Sequence, residues 1–185
     1  YAPDDTVPHG FNDLTISPKG ELFLTDSVSN KVYRFDRAPG TFTSLAIYRA
    51  LSAPNGIALG GQDRLLFVAD DFGIIRVDLD RGASNDVNRG KSNTLAGVDG
   101  LYWRDGNLIA VQNGIGSPRI VSFRLSKDGT NVEETTVLEN RTTLTKTPTT
   151  GALQRNKFYF IANSQIDNMH GDDIVDLRKL EPVRI

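Results

Sequence analysis

This sequence predicts an all-β chain built from repeats, and three observations carry the prediction. Its apolar stretches are short and strand-sized, and they come in pairs separated by turns rich in Gly, Asp and Asn. The paired stretches recur at a nearly constant interval. No segment sustains a helical period; DDIVDLRKL near the end is at most one turn of helix.

The repeat runs in a fixed order. An apolar first strand opens each unit, as LTI at 14–16, GIAL at 56–59 and GLYW at 100–103. The turns PKGE, GGQDR and RDGN follow, with the residues that tight hairpins require. A nearly continuous apolar second strand comes next: LFLT, LLFVA, NLIAV and, in a fourth copy, FYFIA. The third strand alternates, as KVYRFD at 31–36, IIRVDL at 74–79 and RIVSFRL at 119–125. A weaker fourth strand is expected at SLAIY (44–48) and ETTVL (134–138), and the final LEPVRI reads as a strand returning to complete the last unit.

The spacing is tight. Asn12 to Asn55 is 43 residues and Asn55 to Asp99 is 44; Asp26 to Asp70 is 44 and Asp70 to Asn113 is 43. Four-stranded antiparallel units at this period are the blades of a β-propeller. The expected repeats are 10–53, 54–97, 98–147 and 148–185, about three and a half blades in one partial domain. Such a number does not close a ring. The expectation is that further blades precede Tyr1, as part of a six-bladed propeller; the alternative is self-association through the open blade edges.

Composition narrows the partners. The chain has 185 residues with 21 Lys+Arg against 23 Asp+Glu, so charge gives no case for nucleic acid or an acidic membrane surface. No apolar run is long enough for a transmembrane helix. Cysteine is absent, which excludes disulfides, zinc-thiolate sites and a cysteine nucleophile. No compartment is assigned, with a secreted or periplasmic setting favoured over the cytoplasm.

Asn12, Asn55 and Asp99 stand at the same point of three successive repeats, just before the first strand. In a propeller these entry ends converge on the axis. Two amides and a carboxylate delivered there form an oxygen set suited to a hard cation, Ca²⁺ foremost, with Mg²⁺ or Zn²⁺ as alternatives. The same residues also fit a repeated turn cap, in which each side chain bonds its own backbone. The pattern leaves both readings open.

NDLTISPKGELFLTDS, PNGIALGGQDRLLFVAD and DGLYWRDGNLIAV resemble successive blades of the gluconolactonase/regucalcin (senescence marker protein) family of calcium-dependent six-bladed propellers. The resemblance runs from about residue 10 to 165, and the PNG and DG motifs are its more specific parts. It implies Asn55 and Asp99 as metal ligands, and Asn12 as a contact to metal or substrate. The family's first-blade glutamate ligand has no counterpart here. The resemblance also implies a metal-dependent hydrolase acting on a small-molecule lactone or related ester, with Asp99 as ligand or as the carboxylate that assists a water. The rival reading is a non-catalytic propeller that binds protein or carbohydrate, since fold does not choose between them.

Other residues fit two roles each. Thr149 and Thr150 hold the ligand position of the fourth repeat, and Thr150 and Asn113, with Asn12, are candidate substrate contacts. Gln112, Asn113, Asn163 and Gln165 close the second strands, where bonding between blades is the simpler expectation. His9 is a loop histidine or a general base entering the channel. Tyr102 and Trp103 are expected to pack between blades. The acidic group Asp167, Asp172, Asp173 and Asp176 lacks an EF-hand pattern and is expected to be solvated, as is His170.

Overall fold

The computed structural model describes residues 2–90, 94–140, 142, 144–171 and 173–185. Three four-stranded antiparallel sheets follow one another, each a meander whose strand order is the chain order. The first holds β1 (Phe11–Ile16), β2 (Leu22–Asp26), β3 (Lys31–Asp36) and β4 (Thr41–Ser44). The second holds β5 (Ile57–Gly60), β6 (Leu65–Asp70), β7 (Gly73–Asp78) and β8 (Ala83–Asp86), and the third β9 (Val98–Arg104), β10 (Asn107–Gln112), β11 (Arg119–Leu125) and β12 (Val132–Asn140). A two-stranded sheet of β13 (Gly151–Gln154) and β14 (Lys157–Phe160) begins a fourth unit. The architecture is a β-propeller of about three and a half blades.

The hairpins form where the turn chemistry says they should. Asp105 and Gly106, at φ 47° and 82°, make the two-residue turn between β9 and β10 in the left-handed conformation that Asp-Gly adopts with least strain. Fourth strands were harder to place from sequence. SLAIY contributes only Ser44 to β4, which instead comprises TFTS; Leu45 and Ile47 turn inward to the core. The polar ASND at 83–86 forms β8, which no apolar pattern announces.

Beyond β14 come two single turns of 3-10 helix, Ile166–Asn168 and Leu177–Lys179, and a small hairpin of β15 (Met169–His170) and β16 (Asp173–Ile174). The final LEPVRI is not a regular strand. It nevertheless lies beside the end of β14: Ala162 N donates to Arg184 O at 2.8 Å, and Arg184 N donates to Asn163 Oδ1 at 2.6 Å.

Packing repeats with the sequence. Pairing sets Leu14, Ile16, Leu22, Leu24, Tyr33 and Phe35 on one face of the first blade. The register-equivalent face of the second blade is Ile57, Leu59, Leu66, Val68, Ile75 and Val77. That of the third is Leu101, Trp103, Leu108, Ala110, Val121 and Phe123. The second blade buries this face against Phe23 and Val32 of the first. The third buries it against Ala58, Phe67 and Ala69 of the second. Leu153, Phe158 and Phe160 do the same against Ile109, Val111 and Ile120. Trp103 lies parallel to Phe67, ring centroids 5.4 Å apart, over Gly60, where any Cβ would come within 2.3 Å of the indole. Trp103 therefore has the packing role expected of it.

In the three complete blades the second strand ends in a buried polar residue: Asp26, Asp70 and Gln112. Asp26 accepts the backbone N–H groups of Gly10, Val28 and Ser29, and Asp70 those of Phe72 and Gly73. Gln112 donates to Thr94 O and Ala96 O. These side chains satisfy loop backbone that would otherwise be buried without partners.

Candidate functional site

The inner strands β1, β5 and β9 run side by side, and their entry ends bring a small polar set together. Asp99, half-buried, accepts from Asn113 Nδ2 at 2.6 Å, and the Asn55 amide beside it also favours its charged form. The other proton of the Asn113 amide goes forward to Pro148 O at 2.8 Å, so this side chain ties the third blade to the next unit. Ser27 does the same between the first and second blades, donating to Pro54 O at 2.7 Å. Asn55 is held by Thr25 Oγ1, which donates to its carbonyl at 2.7 Å. The Asn55 side-chain oxygen is buried with no hydrogen-bond partner.

Among the described residues Asn12 is linked to Asn55 only through the chain of Ser27 and Pro54. It is exposed, and its amide donates to Ser27 Oγ at 3.0 Å. Its neighbour Asp13 takes the inner place. A bulge between Phe11 and Leu14 re-aims this part of β1, and the Asp13 carboxylate accepts from Leu14 N at 2.8 Å and from Ile57 N at 3.2 Å. Asp13 stands where the second and third repeats carry Gly56 and Gly100, and that break in the repeat is the signal that could have singled it out. Gly56 packs so tightly that a Cβ would sit 2.6 Å from Asp99 O.

Tyr102 also belongs to this group. Its hydroxyl lies 2.8 Å from Thr150 Oγ1 and accepts from Gly151 N at 2.7 Å. Thr149 O packs on Gly100 as Asp99 O packs on Gly56, so Thr149 holds the register position and Thr150 reaches the site through Tyr102.

The electrostatics are those of crowded, half-dry oxygens. Burial pushes the Asp13 carboxyl above its ordinary value against its two backbone hydrogen bonds, and the charge of Asp99 adds to the rise. Burial likewise raises Asp99, against the Asn113 and Asn55 amides. The Tyr102 phenol is raised chiefly by burial, with Asp13 and Asp99 contributing. Beneath them a cavity of about 200 Å³ is walled by Ile57, Leu59, Leu101 and Trp103, with Asp13 and Tyr102 on its border.

Two acids and an orphaned amide oxygen fit a hard divalent cation; without imidazole or thiolate they fit zinc poorly. Among the described residues no group of three or more His, Cys, Asp and Glu is arranged to hold a metal ion, so a site here has to draw on Asn55.

The remaining candidates sit elsewhere. His9 is pinned at the rim between Asp26 (Nδ1, 2.6 Å) and Asp5 (Nε2, 2.8 Å), with both ring nitrogens engaged. Asn163 and Gln165 bind the C-terminal tail, at Pro182 O and Glu181 O. His170 is exposed. Asp167 accepts from Thr147 Oγ1, Asp176 pairs with Arg178, and Asp173 is exposed; Asp172 lies outside the described residues. Two larger clefts of about 300 and 310 Å³ open at the hairpin ends, where Arg64 and Arg76 are already paired with Asp80 and Asp78.

No family model and no curated protein matches the chain. Solved structures do. A nidogen/laminin complex is similar at TM-score 0.61 and 20% identity over 76% of this chain and 51% of that one. A gluconolactonase from Xanthomonas campestris is similar at TM-score 0.60 and 17% identity over 82% and 54%. A streptogramin B lyase is similar at TM-score 0.61 and 18% identity over 83% and 48%. The chain spans about half the length of each, and at these identities the likeness establishes the propeller fold.

Proposed function

We propose that this chain carries the divalent-cation site of a propeller hydrolase acting on a lactone or related ester, with calcium the foremost ion. The observation that carries the reading is the Asn55 side-chain oxygen, buried without a partner beside Asp99 and close to a second acid, Asp13. A buried orphan acceptor is costly, and a cation is a partner that would satisfy it. Asn55 and Asp99 would hold the ion with Asp13 close by. When bound, such an ion supplies Lewis acidity toward a carbonyl oxygen.

The chain's own side chains have distinct parts. Asn113 fixes the Asp99 carboxylate in one orientation. Asp13, with its acidity weakened by burial, takes the part of the base, and Asp99 that of the ligand. Water adds to the ester carbonyl carbon as its proton passes to Asp13. The acyl C–O bond then breaks, and the departing alkoxide takes that proton back. The Tyr102 and Thr150 hydroxyls orient the ester, and the apolar wall of Ile57, Leu59 and Trp103 excludes bulk water from its far side. The rival reading, a binding scaffold, draws support from the two backbone hydrogen bonds that make Asp13 a local cap.

Calcium titration by calorimetry, beside Asp99→Asn and Asp13→Asn, decides between them. Saturable binding weakened in both variants, followed by turnover of some member of a lactone panel, supports the hydrolase. A folded chain that binds no calcium and turns over no lactone leaves the scaffold.

A further inference from the structure

Arg34 and Arg76 hold equivalent places in the first and second blades. Arg34 pairs across its sheet with Phe23 and Thr43, and Arg76 with Phe67 and Asn85. Each donates from Nη2 at 3.3 Å to the carboxylate two residues on, Asp36 or Asp78. The two differ at Nε. Arg76 Nε donates to Asp128 O at 2.7 Å, in the connection 126–131 between β11 and β12. The matching connection after β7, at 79–82, is two residues shorter and gives Arg34 no such acceptor. Arg34 Nε is buried without a hydrogen-bond partner.

Arg34 borders a cleft of about 300 Å³ whose walls are these two adjacent, complete blades. Phe23, Leu45 and Leu79 form its apolar side. Lys19, from the first hairpin turn, also lines it and makes no ion pair among the described residues. Of the acids around the cleft, Asp80 is taken by Arg64, and Glu21 accepts from Ser17 Oγ at 3.3 Å. Asp63 lies on the opposite wall, in the second hairpin turn.

We propose that this cleft binds a small monocarboxylate, its charged end held by Arg34 and Lys19 and its apolar body laid on Phe23, Leu45 and Leu79. A planar carboxylate matches the guanidinium fork, and an exposed ammonium beside it adds charge without demanding geometry. At the equivalent arginine the partner is already an oxygen on an sp² carbon. Arg34 has room to turn its Nε–H toward such an oxygen: its side chain is 42% exposed, against 11% for Arg76. The volume stands at the lower end of small-molecule cavities, so the body is short. Asp63 and Glu21 oppose a second negative charge, so one carboxylate is preferred to two. The cleft lies at the hairpin ends of the inner strands, away from Asp13, Asn55 and Asp99, and needs no cation.

Proton–nitrogen NMR of the arginine Nε–H groups tests this directly, with hexanoate as the probe beside neutral hexanamide and the dicarboxylate adipate. The Arg34 signal is identified by its loss in Arg34→Gln, whose backbone amide spectrum reports that the fold is kept. Hexanoate is expected to shift the Arg34 Nε–H saturably, in the millimolar range usual for so small a ligand, and to leave that of Arg76 in place. Hexanamide should bind about tenfold more weakly, having lost the charged hydrogen bonds, and adipate should also bind more weakly than hexanoate. Arg34→Gln should lose about tenfold in hexanoate affinity by its backbone shifts, and Lys19→Gln about twofold to fivefold. No saturable shift at Arg34 overturns the proposal. Equal binding of hexanamide overturns carboxylate recognition, and parallel shifts at Arg34 and Arg76 reduce the response to a general salt effect and overturn the site.

Discussion

The first and second blades share a pattern and differ in what lies against them. Leu22 and Leu24 in one stand where Leu66 and Val68 stand in the other, on strands paired in the same register. Leu66 and Val68 are fully buried, while Leu22 and Leu24 are only half-covered. In a stacked repeat the apolar letters thus encode an interface, and whether they become core depends on the next sheet.

The sharpest way to break this comparison is to truncate equivalent leucines. Leu66→Ala is expected to cost about 2–5 kcal/mol, as for other fully buried leucines. Leu22→Ala should cost roughly 1 kcal/mol or less, because water already reaches the side chain. Urea unfolding at a concentration where the chain is monomeric reads both, and equal losses would refute the distinction.

The next effect lies where the two blades meet the third. Gly56→Ala forces a Cβ against Asp99 O and Leu101 N, backbone atoms that cannot swing away. Overpacking of this kind costs about 1–3 kcal/mol. Because it displaces the strand that carries Asp99, the calcium binding proposed above should weaken with stability. A variant of lowered stability and undiminished affinity would detach Asp99 from the site.

Acidity sharpens the comparison further, since the first blade holds carboxylates of opposite behaviour. Burial would raise Asp26, but the N–H groups of Ser29 and Gly10 and the His9 ring outweigh it and bring the pKa to about 2. The folded form of Asp26 binds fewer protons than the unfolded chain, so its stabilisation is present above its ordinary 3.8 and is lost as pH falls toward about 2. Asp13 and Asp99 are raised, so stability declines as pH rises from 3.8 through their folded range. Unfolding curves from acid to neutral pH should show Asp13→Asn more stable than the parent at neutral pH and equal to it in acid. A constant offset would contradict the burial assigned to Asp13.

The smallest effect belongs to His9. Its hydrogen bonds to Asp26 and then Asp5 raise its pKa, so its stabilisation is full below the ordinary 6.5 and fades as pH climbs through the folded value. His9→Gln should therefore destabilise the chain at mildly acidic pH and much less at alkaline pH. A pH-independent loss would assign His9 a packing role alone.

Much of this fold was legible in the sequence because periodicity of apolar residues is set by strand geometry. The hairpins from Phe11 to Asp36 and from Ile57 to Asp78 follow directly from it. The strand of Ala83–Asp86 was not legible, since an outer edge strand buries little and needs no apolar letters. The site was legible in part. Asn55 and Asp99 lie near each other as their common place in the repeat suggests, and Asn113, expected to bond between blades, donates to Pro148 O and also to Asp99. The part of Asp13 was not, because a bulge shifts facing by one residue without changing the spacing. Tyr102 packs against Phe158 as expected, and its hydroxyl also finds Thr150 forty-eight positions away, a meeting that only the stacking of blades creates.

Asn113 gives the arrangement a mechanical side. One amide nitrogen grips Asp99 with one proton and Pro148 with the other, and Pro148 begins the last repeat. With the Tyr102 hydroxyl, which meets Thr150 and Gly151, it makes a polar seam that joins the half-buried acid of the third blade to the start of the fourth.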